Sequence, residues 1–376
     1  MAATKIIALF NHKGGVSKTT TTFHIGSMLS RMGKKVLLVD ADSQCNLTGL
    51  MAGFQKPEEY GDVVDIEYDN NVIDKFYKEY DDIYSCIISD IIGEEILTEE
   101  KVQSSRIFIY EKSNSNQNLH LLAGNVQFAE VEPRLTTSLL FSSNRFAQNA
   151  TTMRIPGVFR KLFGMLGGYY NYDYILVDMS PSIGMLNQCL IMNSDYFIIP
   201  LAPDFYSWQA LKSIGSVLPQ AYNDFQPFRI ENTLNGYKLP NQPQFMGYVI
   251  QKFRLQAGKS KSDEDKNSII PSKAFQEWID KIELRIKEEL IPTLMGANMY
   301  VSGSDIVDVC VPEFNSLIAK SQSSGKPVFE LSDNETYDKK DKMEDRSKKE
   351  IKRGQFEDLF KTISNKIVRI TSNLSK

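Results

Sequence analysis

The segment Asn11 to Thr20, N-H-K-G-G-V-S-K-T-T, follows the apolar run Ile6 to Phe10 and precedes Phe23-His24-Ile25-Gly26-Ser27-Met28-Leu29, whose apolar spacing suits a helix. Strand, glycine loop and helix in that order form a cradle for phosphate. The loop's backbone N–H groups and the helix N-terminus turn positive partial charge toward polyphosphate oxygens. Lys18 reaches the terminal phosphates as a point charge, and the Thr19 hydroxyl ligates Mg²⁺.

Further apolar runs recur at Val36 to Val39, Leu119 to Leu122, Tyr174 to Val177, Tyr196 to Ile199 and Tyr248 to Ile250, with helical patterning between several of them. Such alternation predicts an α/β fold: a mostly parallel central sheet with helices on both faces. Ligands in these sheets bind beyond the carboxyl ends of the strands. Two strands end there in carboxylates. K-K-V-L-L-V-D-A-D-S-Q-C-N-L-T closes on Asp40 and Asp42, and Y-D-Y-I-L-V-D-M-S-P-S closes on Asp178. Either could hold water near Mg²⁺, which keeps most of its hydration. Residues 55–117 and 231–272 interrupt the pattern. The first is expected to hold one or two short helices and loops, and Asn232 to Gln244 reads as a surface loop. Ala257 to Asn267 is a Lys/Ser/Asp-rich excursion, and residues 331–376 read as a charged linker followed by an amphipathic helix docking on the body.

The glycine loop departs from the common G-x-x-x-x-G-K-[ST], because His12 and Ser17 occupy its glycine positions and a second lysine, Lys13, opens it. In this it resembles the deviant Walker A motif of the ParA/MinD/NifH-like ATPases, a P-loop NTPase class. D-A-D-S-Q-C-N-L-T resembles that family's D-x-D-P-Q-G-N-x-T, with Ser43 for proline and Cys45 for glycine. D-M-S-P-S resembles its D-x-x-P-P-S, and A-K-S-Q-S-S-G-K-P-V resembles ParA more than MinD. The likeness covers most of residues 4–330. It implies an ATP and Mg²⁺ site built from Lys13, Gly14, Gly15, Val16, Ser17, Lys18, Thr19, Thr20, Asp40 and Asp178, with Pro312 and Glu313 beside the adenine. It implies catalytic roles for Lys13, Lys18 and Asp42: Lys13 crosses a homodimer to the partner's ATP, and Asp42 positions water. Thr19, Asp42 and Asp178 become the Mg²⁺ set, the carboxylates through water, with Asp40 supporting the metal shell. The expected activity is slow, partner-stimulated ATP hydrolysis by a cytoplasmic partition ATPase. Its ATP dimer binds DNA without sequence preference and is released by a ParB-like activator. The alternatives are a MinD-like membrane-cycling ATPase and an ATP-switched module of a defence or other operon.

Composition narrows these classes. A net charge of −4 excludes a globally basic nucleic-acid binder, so DNA contact must come from a local patch. Lys252, Arg254, Lys273, Lys281, Arg285, Lys287, Lys320 and Lys326, with Lys259 and Lys261, supply candidates. The four cysteines, Cys45, Cys86, Cys189 and Cys310, form no C-x-x-C, which argues against a NifH-like cluster and fits a reducing cytosol. No signal peptide is expected at the N-terminus, and no apolar run is long enough to span a bilayer.

Overall fold

The computed structural model describes residues 3–60, 63–68, 70–112, 117–142, 149–230, 232, 234, 236–240, 242–256, 270–300, 305–338 and 341–373. Ten strands are named here: β1 (Lys5–Leu9), β2 (Val36–Ala41), β3 (Gln55–Tyr60), β4 (Val63–Tyr68), β5 (Phe108–Ile109), β6 (Leu119–Leu122), β7 (Tyr174–Met179), β8 (Tyr196–Leu201), β9 (Gln244–Phe253) and β10 (Val307–Pro312). Eight of them form one sheet in the order β10-β9-β8-β1-β7-β2-β6-β5, parallel throughout except for β5 at one edge. β1, β2 and β7 carry almost unbroken apolar residues because both faces are covered. On β1, Ile6, Ala8 and Phe10 enter one core layer while Ile7 and Leu9 enter the other. The mostly parallel α/β sheet predicted from the motif order is the one found. Its centre is β1, which puts the glycine loop at the sheet's carboxyl edge, flanked by the ends of β7 and β8.

Two sequence expectations need correction. Residues 55–117 hold more than short helices and loops. They build the antiparallel hairpin β3–β4, the helices Asn70–Glu79, Ile83–Ile92 and Glu99–Gln103, and the edge strand β5. Nor is the 232–244 stretch a free surface loop. Tyr237 and Leu239 are buried, and the Tyr237 hydroxyl donates to Asp90, which forms a buried ion pair with Arg154 Nε at 2.6 Å. A polar sequence rich in Asn, Pro and Gln gives no hint of one buried tyrosine that ties it down. The 257–267 excursion lies outside the described residues.

The 331–353 charges continue into a 31-residue helix, Met343–Asn373. Its first turns hold charges in place on the surface: Lys349 reaches Asp338 at 2.9 Å and Asp341 at 2.6 Å. Its later turns bury Phe356, Phe360, Ile363, Ile367 and Ile370 against the helix Lys18–Arg31 and β10. That apolar stripe is therefore covered by the body and does not face out as a lipid-binding surface would. Among the described residues no helix is long and apolar enough to cross a membrane.

His24 sits at this junction. Its Nδ1 lies 2.7 Å from the Thr20 carbonyl, and the Val328 N–H donates to Nε2 at 3.0 Å. Nδ1 therefore carries the proton and donates it to Thr20. The ring stacks on Phe360 at 4.9 Å and tilts against Phe314 at 5.2 Å. Burial pushes its pKa down to about 4. The folded state thus refuses a proton that the unfolded chain accepts, so stability is complete above pH 6.5 and is lost as pH falls toward 4. The shift corresponds to about 3 kcal/mol. Burial also lowers His120 to about 4, with the same sign. The urea midpoint is expected to fall between pH 6.5 and 4, and a His24 imidazole resonance that titrates near 6.5 would contradict this account.

Candidate nucleotide-binding site

The loop is held from below by Asn11. Its Nδ2 donates to the Pro200 carbonyl at 2.8 Å and its Oδ1 accepts the Lys13 N–H at 2.9 Å. Two residues bend it into left-handed backbone, Gly15 at φ +75° and Ser17 at φ +62°. Ser17 keeps the conformation of the glycine that the common pattern has there, at a cost of about 1–2 kcal/mol. Lys18 then starts the helix Lys18–Arg31. Its ammonium donates to the carbonyls of Asn11 at 2.9 Å and Lys13 at 3.2 Å. Burial lowers its pKa, opposed by the charges of Asp178 and Asp42. Burial first, and Lys18 second, also lower the pKa of His12, so its imidazole is neutral at pH 7.

Strand register assembles the carboxylates. Leu9 of β1 pairs with Asp178 of β7, and Asp178 pairs with Asp40 of β2. Two buried acids side by side resist ionisation together. Burial, then the Asp40 charge, push Asp178 up to about 8, while the nearby Thr19 hydroxyl and the Lys18 charge oppose the shift. Asp178 Oδ1 accepts from Thr22 Oγ1 at 3.3 Å, and its Oδ2 is buried without a hydrogen-bond partner. A buried oxygen in want of a positive partner, beside a threonine hydroxyl and a second carboxylate, is a hard-oxygen set that suits Mg²⁺. Among the described residues no cluster of three or more His, Cys, Asp or Glu forms a self-sufficient metal site.

Asp40, expected to support the metal shell, is tied into the neighbouring loop. Its Oδ2 accepts from the Thr48 N–H at 2.8 Å and Thr48 Oγ1 at 2.7 Å, and its Oδ1 accepts from the Asp42 N–H at 3.3 Å. Both oxygens are spent on holding the loop that carries Asp42. Asp42 itself is 6 % exposed and stands on the wall of the cavity.

That cavity, about 560 Å³, is lined by Gly14, Gly15 and Ser17–Thr20 together with Leu50, Phe314, Ile318 and Gln322. Gln44, Asn46, Pro181, Lys252, Glu313 and Asn315 complete it. Val16 and Asp178 are buried and are not on its lining. Pro312, expected beside the adenine, is not on this wall. It ends β10 and lines a separate pocket of about 250 Å³ with Phe253 and Phe356. Sequence reasoning missed Phe314, Ile318, Gln322 and Leu50, and gave Lys252 only as a candidate DNA contact. The apolar ones read as core, and only their position after strand ends could have marked them.

Lys13 leaves the loop on the other side. Its ammonium pairs with Asp204, which caps the helix Phe205–Asp224, and lies 3.4 Å from Ser207 Oγ and 5.9 Å from the Tyr206 ring centre. Several candidate DNA-contact residues are engaged within the chain. Lys320 pairs with Asp338 at 2.8 Å and Lys326 with Glu335 at 2.8 Å. Arg254 pairs with Glu313 at 3.4 Å, and Arg285 stacks on Trp208 at 3.4 Å. Lys273, Lys281 and Lys287 stay exposed, and Lys259 and Lys261 lie outside the described residues.

Comparison with known proteins agrees with this architecture. A family model described as an AAA domain matches residues 4–228. The sporulation initiation inhibitor Soj of Bacillus subtilis is 29% identical over 210 residues, 56% of this chain and 63% of Soj. A virulence-plasmid ParA family protein of Chlamydia psittaci is 26% identical over 56% of this chain and 61% of its own. The chain thus spans less than two thirds of the length of these relatives. The solved ATP complex of a Cyanothece McdA variant superposes with a TM-score of 0.58 at 13% identity, over 98% of this chain and 97% of McdA, which speaks for the fold. The chain therefore belongs to this AAA-domain family, and Soj and ParA family proteins are among its sequence relatives.

Proposed function

We propose that the chain binds ATP with Mg²⁺ in the loop cavity, dimerises on it, binds DNA without sequence preference in that state, and lets go when a ParB-like partner stimulates hydrolysis to ADP and phosphate. One observation carries this reading: two lysines leave a single glycine loop in opposite directions. Lys18 turns inward beneath the cavity, and Lys13 turns outward to the helix Phe205–Asp224. An inward lysine serves the nucleotide of its own subunit. Lys13, held in its own subunit by the partly exposed Asp204, can exchange that partner for a neighbour's phosphate, in the manner of an arginine finger.

Phosphoryl transfer to water needs position and charge more than covalent chemistry. The loop amides and Lys18 hold the phosphates, and Asp42 orients water from the cavity wall. Thr19, with Asp42 and Asp178 through water, would hold Mg²⁺, which draws negative charge from the β- and γ-phosphates. Removing the γ-phosphate removes what the two subunits share, so hydrolysis acts as a timer on assembly.

DNA binding is the decisive test. Fluorescence anisotropy with duplexes of unrelated sequence is expected to give equal affinities in ATP and none in ADP. If Lys273, Lys281 and Lys287 each meet a phosphate, log K falls against log salt with a slope of about −2.7 per subunit. Equal binding in ADP would remove the switch, and a flat salt response would remove the basic patch.

A further inference from the structure

Lys252 stands on the nucleotide cavity in a backbone conformation that a lysine seldom adopts. In the pairing of β9 with β10, Gln251 faces Val311 and Phe253 faces Pro312, which leaves Lys252 as the extra residue of a β-bulge. Its φ is +64°, in the left-handed region where a glycine would sit without strain. Its neighbours fix it there: Gln251 and Phe253 are 1 % and 0 % exposed, and the Gln251 amide donates to the Thr21 hydroxyl in the first turn of the helix after the glycine loop. Among the described residues the Lys252 ammonium has no hydrogen-bond or ion-pair partner, although Glu313 shares the same wall. Bulges beside sites re-aim a side chain, and strain of this kind persists where a ligand makes use of it.

The bond from Gln251 to Thr21 ties the bulge to the helix that follows the glycine loop. On the nucleotide reading, the glycine loop takes the phosphates, and the apolar Phe314 and Ile318 on the same cavity suit the base. Lys252 and Thr20 both line this cavity. We infer that Lys252 is a nucleotide-positioning residue, an ammonium held by the bulge to donate to an acceptor where the α-phosphate meets the nucleoside. This rests on the nucleotide reading of the cavity and adds to it a second cation, distinct from the two lysines of the glycine loop.

Two variants separate position from strain. Lys252→Met keeps the backbone strain and removes the charge. It is expected to leave Tm unchanged and weaken ATP binding about tenfold, or about 1.4 kcal/mol. Lys252→Gly removes both, so Tm rises by about 2 °C while ATP binding weakens by the same factor. Calorimetric titration with ATP, AMP and adenosine then locates the contact. A defect for ATP and AMP alone puts the acceptor on the α-phosphate, and a defect shared by adenosine puts it on the nucleoside. Wild-type protein that binds ATP while both variants bind it equally well overturns this inference and leaves the nucleotide site standing. Wild-type protein that binds no nucleotide overturns both.

Discussion

Lys13→Ala is expected to bind ATP as the wild type does and to hydrolyse it at least about 10³-fold more slowly under partner stimulation, the lower bound for a finger group supplied across an interface. The geometry separates the two effects. Lys18 is 7 % exposed, bonds to the carbonyls of Asn11 and Lys13, and meets the cavity from below, so phosphate binding within the subunit does not depend on the Lys13 side chain. The Lys13 ammonium instead rests on Asp204 at the mouth of the helix Phe205–Asp224. That pair is partly exposed, with side chains 21% and 41% accessible, and is therefore worth at most about 1 kcal/mol. Its loss alters Tm little, while a phosphate on a second copy outcompetes a single solvated carboxylate. The expected pattern is unchanged calorimetric ATP affinity, loss of the ATP-dependent dimer in light scattering, and lost stimulation. Normal dimers with normal turnover would remove Lys13 from this role. Asp204→Asn releases Lys13 without removing it, and its dimer is expected to form at lower ATP.

The phosphate end of the site was legible because its chemistry needs a contiguous stretch. Glycine at a left-handed turn, lysine and threonine at the helix start, and the apolar strand before them all lie within Ile6 to Thr20. Asp178 and Asp40 were legible for a related reason: each follows a buried apolar run, and strand register then sets them side by side. What their side chains do was not legible. Asp40 is consumed by Thr48, eight residues away, and nothing in the spacing distinguishes that from a metal ligand. The rest of the wall was hidden because Lys252 is the extra residue of a bulge within β9, and Phe314 and Ile318 follow the edge strand β10. β10, V-D-V-C-V-P, is short and partly polar and was not read as a strand. The hairpin β3–β4 contains P-E-E, which gives little strand signal.

Asp42→Ala is expected to bind ATP, form the dimer and remain in it, with turnover reduced about 10²–10⁴-fold, the range for a group that positions or activates water. Asp42 and Asp40 are two residues apart on the same strand end, yet the hydrogen bonds divide their labour. Asp40 gives both oxygens to the chain, whereas Asp42 Oδ1 accepts the Gln44 N–H at 3.0 Å and no described group takes its Oδ2. An acceptor on the cavity wall with one oxygen uncommitted can hold a water in line with the γ-phosphate. A fully engaged one cannot. The neighbouring variant supplies the control. Asp40→Asn replaces an acceptor oxygen by a donor opposite the Thr48 N–H, so it is expected to lower Tm and loosen the whole loop, with weaker ATP binding as a consequence. Asp42→Ala should instead leave Tm and ATP affinity near wild type and change only the lifetime of the ATP dimer. Single-turnover hydrolysis followed alongside light scattering distinguishes the two, and an Asp42→Ala protein that releases phosphate at the wild-type rate would move the water-holding role to another wall residue, with Gln44 the nearest polar candidate.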